Sequence, residues 1–167
     1  MKLPTVFITM LCAMAAIPAR AHDIIRHASP NVPVATSVLV PGGIDLIVVS
    51  GVLPDVADPS APPGSPQRFG DTATQAKSVL GKLARELGSH GLTMADVVKL
   101  NVFLVGDPRK QGQVDFQGLM QAYMGLYGIR AMEKNLPART TVQVAGLPGA
   151  EGALVEIEAM AARHPQE

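Results

Sequence analysis

Ala138-Arg139-Thr140-Thr141-Val142-Gln143-Val144-Ala145, then Gly146-Leu147-Pro148-Gly149-Ala150-Glu151-Gly152, then Ala153-Leu154-Val155-Glu156-Ile157-Glu158-Ala159-Met160, is the stretch that decides the fold. Both ends alternate with period two, the spacing of a strand with one covered face. The Gly/Pro-rich middle supplies turn chemistry. An antiparallel hairpin is therefore expected. On its first strand Arg139, Thr141 and Gln143 share a face, opposite Thr140, Val142 and Val144. On its second strand Glu156 and Glu158 share a face, opposite Val155, Ile157 and Ala159. Cross-strand neighbours lie on one side of a sheet. With the apolar sets joined as core, Arg139 and the two glutamates meet on one polar face. That face is either solvated or lines a site.

Working outward, Val34–Val40 and Asp45–Ser50 are expected strands on either side of Pro41-Gly42-Gly43. Leu46-Ile47-Val48-Val49 is continuously apolar, as in a strand covered on both faces. Ser50-Gly51 either ends that strand or lets backbone come close to a ligand. Val52–Phe69, with five prolines, is expected to be a long loop: a rim, a lid or an insertion. A helix is expected over Asp71–Gly91, capped by Asp71 or Thr72 and stopped by Gly88 or Gly91. Ala73, Ala76, Leu80, Leu83 and Leu87 form its apolar stripe. Val97–Val105 reads as a strand, with Val98, Leu100, Val102 and Leu104 facing away from Val97, Lys99, Asn101 and Phe103. A second helix over Gln113–Tyr127 turns Phe116, Leu119, Met120, Tyr123 and Leu126 inward, its methionines serving as core filler. The order predicts an α+β two-layer fold, a mixed sheet with both helices on one face. The half-apolar open face predicts a symmetric oligomer.

At 167 residues the chain suits one domain. Met1-Lys2, the apolar run Leu3–Ile17 and Ala19-Arg20-Ala21 predict a signal peptide over residues 1–21, too short for a spanning helix. An arm over 22–33, a single domain over 34–162 and a tail over 163–167 follow. Once the leader is cleaved, no stable membrane insertion is expected, and the product is periplasmic or secreted. The only cysteine, Cys12, leaves with the leader. The mature chain then has no disulfide, thiolate or cysteine metal site. Losing Lys2 and Arg20 leaves two more acidic than basic side chains, so nucleic acid is not an expected partner. His22 and His27 are read as solvated rather than as a metal pair.

Pro137-Ala138-Arg139-Thr140, Val142-Gln143-Val144-Ala145, Leu147-Pro148 and Val155-Glu156-Ile157-Glu158-Ala159 together resemble the closing signature of the RidA/YjgF-type reactive intermediate (enamine/imine) deaminases. Ile47-Val48-Val49-Ser50-Gly51 and the run from Asp96 to Leu104 look like earlier strands of that family. The likeness extends from about Val34 to Ala161. It implies a chorismate-mutase-like subunit in a homotrimer, with a site in each cleft between subunits. It implies hydrolysis of enamines and imines, such as 2-aminoacrylate or 2-iminopropanoate, to 2-oxo acids and ammonia, without metal or cofactor. By the same resemblance Arg139 binds the substrate carboxylate, Glu156 handles the water and proton, and Ser50 lies nearby. Gly51 and Thr141 complete the expected substrate-binding set. The chain departs from the family at three points: the first-strand tyrosine is Ser37 or a neighbour, a helix asparagine is Met120, and the cysteine two positions after the arginine is Thr141.

The residues leave three readings open. One is an imine deaminase. Another is a small-carboxylate-binding protein of the same trimeric fold without turnover. The third is an interaction protein using the proline-rich loop.

Overall fold

Asp71 decides where the long helix starts. Its carboxylate accepts the Thr74 N–H at 2.8 Å, satisfying one of the free donors of the first turn. In this computed structural model, which describes residues 23–28, 30, 32–128, 131 and 133–163, the helix α2 spans Thr72–Ser89. Gly91, at φ +68°, ends it. There the Gly91 N–H returns to Gly88 O and the Leu92 N–H to Leu87 O, which closes the last carbonyls. The expected leader with Cys12, His22 and residues 164–167 of the tail lie outside the described residues.

The strands are β1 (Ile25–Ala28), β2 (Ala35–Leu39), β3 (Asp45–Val52), β4 (Val97–Val105), β5 (Ala138–Val144) and β6 (Val155–Arg163). They form one mixed sheet in the order β1-β2-β5-β4-β6-β3. A one-turn helix α1 (Pro66–Phe69) precedes α2, and α3 (Phe116–Tyr127) lies between β4 and β5. The two long helices pack on one sheet face around Leu80, Leu83, Leu87, Leu100, Leu104, Leu119 and Ile157. Each fully buried leucine there contributes about 2 kcal/mol of transfer free energy. The two-layer α+β expectation therefore holds.

The expected closing hairpin does not form. β4 lies between its two halves, parallel to β5 and antiparallel to β6. Ten residues connect β5 to β6, enough to arc across an intervening strand, whereas hairpins favour loops of about two residues. The face assignment of β5 changes with it. Arg139 and Thr141 stand beside Leu100 and Val102, on the helix side. Glu156 and Glu158 stand beside Phe103 and Asn101, on the open side. Arg139 and the glutamates thus occupy opposite faces.

Four smaller readings are corrected. Residues 25–28 are not tail but strand β1, paired antiparallel with β2. A register irregularity between Val97 and Lys99 turns Val97 into the main core cluster, while Val98 is buried outside it. The second helix begins at Phe116, because Asp115 caps it through the Gly118 N–H; Tyr127 is buried and Phe116 is half exposed. The apolar run of β3 is covered on one face only: Val49 is buried, while Val48 is 67% exposed on the edge strand.

Two arginines fix local segments of the chain. Arg26 on β1 donates to Val97 O (2.6 Å), Leu136 O (3.1 Å) and Ala95 O (3.1 Å), which docks the N-terminal strand. Asp107, 1% exposed, accepts from Arg109 Nε and from the Arg109 backbone, each at 2.9 Å. Burial pushes the Asp107 carboxyl up, but the Arg109 hydrogen bonds and charge outweigh it and hold the group below 3.8.

Replacing Arg26 by Ala is expected to lower unfolding free energy by about 2 kcal/mol in urea titrations, since three carbonyls lose a charged donor. The depressed Asp107 carboxyl contributes stability above the ordinary carboxylate range, and that contribution disappears as pH falls through its folded-state value. Asp107→Asn should accordingly be less stable at neutral pH and lose stability less steeply below about pH 4, as thermal melts across pH would record.

Candidate functional site

Arg139 is placed by β5 against the outer half of α3. Its Cζ lies 4.3 Å from the Tyr123 ring centroid and 5.7 Å from that of Phe116. Its Nη1 donates to Met120 Sδ at 3.3 Å. Phe116, Met120 and Tyr123 recur at four- and three-residue steps, so one helix stripe presents all three. Among the described residues no carboxylate pairs with Arg139. Burial lowers its pKa below the usual guanidinium range, and the Tyr123 phenol partly counters this. Burial also pushes Tyr123 up to about 12, so the ring is neutral beneath a cation. Two residues on, the Thr141 Oγ1 is buried on the same sheet face without a hydrogen-bond partner. A half-buried guanidinium and an unsatisfied hydroxyl are groups with donors free for an anion.

Glu156 belongs to a second cluster, on the open face. Between Val49 and Val52, β3 bulges against β6, so Ser50 and Gly51 together oppose Glu158. The bulge brings Gly51 under the Glu156 side chain. A Cβ on residue 51 would collide with Glu156 Oε1. Glycine is thus what allows the carboxylate to lie across the strand. Ser50 lines a shallow cavity of about 360 Å³ with Val48, Lys99, Asn101 and Glu158. There Asn101 Nδ2 donates to Glu158 Oε2 at 3.2 Å and Lys99 Nζ to Thr140 Oγ1 at 2.6 Å. Glu158 is therefore held within the sheet face, as a structural partner of Asn101.

The expected residues fall into two groups: Arg139 and Thr141 on the helix side, Ser50, Gly51 and Glu156 on the open side. A single chain does not bring the groups together. Sequence reasoning took Phe116, Met120 and Tyr123 for core; Tyr123 is core and Met120 packs against it, Phe116 is half exposed, and the same stripe also lies against Arg139. Only the pairing of β5 with β4 reveals this, and no local signal carries it. A larger groove of about 620 Å³ between α2 and α3, lined by Ala73, Leu80, Gly81, Ala84, Ala122 and Gly125, holds none of these residues. Among the described residues, no three His, Cys, Asp or Glu side chains gather as a metal site, and no helix is long and apolar enough to cross a membrane.

The sequence profile of the family described as endoribonuclease L-PSP matches residues 33–163. The chain belongs to that family. The L-PSP fold recurs in solved structures of the YjgF group, which the closing-strand signature resembles. The YjgF gene product of E. coli is 29% identical, with 83% of this chain and 98% of that one covered and a TM-score of 0.53. E. coli TdcF, solved with bound serine, is 25% identical over 79% and 95%, with a TM-score of 0.53. A YjgF/YER057c/UK114 family member from Mycobacterium tuberculosis is 25% identical over 84% and 100%, with a TM-score of 0.50. Among curated protein sequences, none matches the chain.

For this L-PSP family chain, Gly51→Ala is expected to push the flexible Glu156 side chain aside while the backbone stays in place. Stability in urea should change by under about 1 kcal/mol. Any turnover that depends on Glu156 should fall at least about tenfold, measured on the same preparation.

Proposed function

We propose that the chain assembles as a homotrimer and hydrolyses reactive enamines and imines of the 2-aminoacrylate/2-iminopropanoate type to 2-oxo acids and ammonia. The observation that carries this reading is the Arg139 guanidinium, half-buried beside an unsatisfied Thr141 hydroxyl and without a carboxylate partner among the described residues. Removing a cation from water without an anion is costly, and a substrate carboxylate completes the site. The family membership supports the reading, as does the serine bound in TdcF, a small molecule that bears a carboxylate.

Arg139 and Glu156 lie on opposite sheet faces, so one chain does not supply both to one substrate. A second copy does, with Arg139 of one subunit facing Gly51 and Glu156 of its neighbour. The exposed apolar side chains of Val48, Leu46 and Val142 on the open face give such an assembly surface to bury.

In the proposed reaction, the substrate carboxylate takes two N–H groups from Arg139. Glu156 holds a water and accepts its proton as the oxygen bonds to the imine carbon. The C=N π electrons move to nitrogen, which is protonated. The carbinolamine nitrogen then takes a second proton and leaves as ammonia, its C–N bond breaking as the hydroxyl gives up its proton and the C=O forms. An enamine first takes a proton on carbon to become the imine. Water enters and ammonia leaves, with no redox change.

An acylating nucleophile is unnecessary, and Thr141 serves as a hydrogen-bond donor or acceptor to the ligand. A small molecule fits this site better than RNA. Its cationic element is a single guanidinium, and the whole chain has as many acidic as basic side chains. From the leader-like residues 1–21 the proposal extends to an activity in the periplasm or outside the cell.

The test generates an imine in situ with an amino-acid oxidase and follows ammonia release. Wild type should accelerate it; Arg139→Ala and Glu156→Gln should each lower the rate at least about a hundredfold. Refolding the two variants together in equal amounts should restore about a quarter of wild-type activity, because a shared site then combines one intact residue from each. No acceleration by wild type would sink the catalytic reading. If 2-oxobutanoate nevertheless raised the melting temperature, a carboxylate-binding protein of the same fold would replace it.

A further inference from the structure

We propose that Tyr123 is the positioning residue for Arg139: its ring face, in place of a carboxylate, holds the guanidinium that receives the substrate. The inference rests on the reading of Arg139 as the carboxylate-binding group. A structural acid beside an arginine would occupy the same in-plane N–H edges that a substrate carboxylate needs. An aromatic ring takes the guanidinium by its face and leaves those edges free. Here Cζ lies 4.3 Å from the Tyr123 centroid, and the only side-chain hydrogen bond from Arg139 among the described residues goes to the weak acceptor Met120 Sδ. The cation is thus fixed in place while most of its donors stay available.

The ring itself is immobilised. Tyr123 is buried, and its hydroxyl donates to Pro33 O at 2.8 Å. Its ring lies 4.9 Å from that of Tyr127, whose hydroxyl donates to Met94 O at 2.7 Å. The Ala35 N–H also donates to Pro137 O at 2.9 Å, two residues before Arg139. The segment 33–35 therefore ties Tyr123 and the start of β5 together, with Arg139 between them. Tyr127 offers an internal control: it belongs to the same core and makes a comparable hydroxyl-to-carbonyl bond, but no cation lies over it among the described residues.

The measurement is binding of 2-oxobutanoate by calorimetry, with urea stability recorded for every variant. Tyr123→Phe keeps the ring and should bind within about twofold of wild type. Tyr123→Leu should weaken binding about three- to thirtyfold. Tyr127→Leu should lose stability to a similar degree yet bind within about twofold of wild type. In case Tyr123→Leu does not fold, residue 123 is replaced by phenylalanine carrying one, two and three ring fluorines. This drains the ring face of negative charge at nearly constant shape, so affinity should fall stepwise across the series. A flat fluorine series overturns the inference, as does Tyr123→Leu binding like wild type, or Tyr127→Leu weakened as much as Tyr123→Leu. If wild type does not bind the oxo acid at all, the reading of Arg139 falls and the inference falls with it.

Discussion

The ladder on each side of β4 is the constraint from which the remaining geometry follows. β4 binds β5 in parallel and β6 in antiparallel register, so it fixes the side of the sheet on which every residue of both partners lies. Leu100 faces the helices, and Arg139 and Ala159 beside it must do the same. Asn101 and Phe103 face away, and Glu158 and Glu156 follow them. A one-residue slip in either ladder would reverse this assignment. Slippage is opposed by Leu100, Val102, Leu104, Val155 and Ile157, all of which would move out of the core.

That constraint leaves a guanidinium among side chains that cannot neutralise it. Phe116, Met120 and Tyr123 offer π faces and a thioether, interactions weaker than a carboxylate pair. The folded chain accepts a half-desolvated cation here, and burial accordingly lowers its pKa. Two other arginines, the half-buried Arg26 and the exposed Arg109, are treated differently. Arg26 is satisfied by three backbone carbonyls and Arg109 by Asp107. Arg139 has neither kind of partner among the described residues, and on the proposed reading a ligand supplies one.

Much of the fold was legible because it rests on local chemistry. The Asp71 cap, the Leu80–Leu83–Leu87 stripe, the Gly91 stop and the alternation of β4 from Lys99 onward each depend on neighbours a few residues away. What was not legible depends on partners far along the chain. Alternation in β5 shows that Arg139 and Thr141 share a face, but either face could have been the covered one. Val142 and Val144 suggested the wrong choice, because apolar side chains on an uncovered sheet face look like core in a sequence. The same ambiguity affects Ile25–Ala28, a strand too short and too polar to announce itself, whose place is fixed by Arg26 reaching Ala95, Val97 and Leu136. Among the site residues, the closing signature pointed to Arg139 and Glu156, and Gly51 gained a physical reason only once the bulge set it under Glu156. Tyr123 gave no signal, since a buried tyrosine in a helix stripe reads as packing.

The bulge in β3 and the uncovered face bear on one another. A regular strand would alternate Ser50 and Gly51 across the sheet; the extra residue lets both oppose Glu158 and opens the space that the Glu156 carboxylate occupies. The same face of this edge strand exposes Leu46 and Val48 further along, opposite Ala162 and Met160. An apolar edge on the face that also carries an acidic group is a poor surface to leave in water, and a poor one to cover with the chain's own helices, which would desolvate Glu156 without pairing it. On the proposed assembly a neighbouring copy answers both demands at once. It covers Leu46 and Val48 while setting its Arg139 opposite Glu156, and a bound carboxylate lies between the two charges. Oligomerisation and ligand binding would then draw on the same surface.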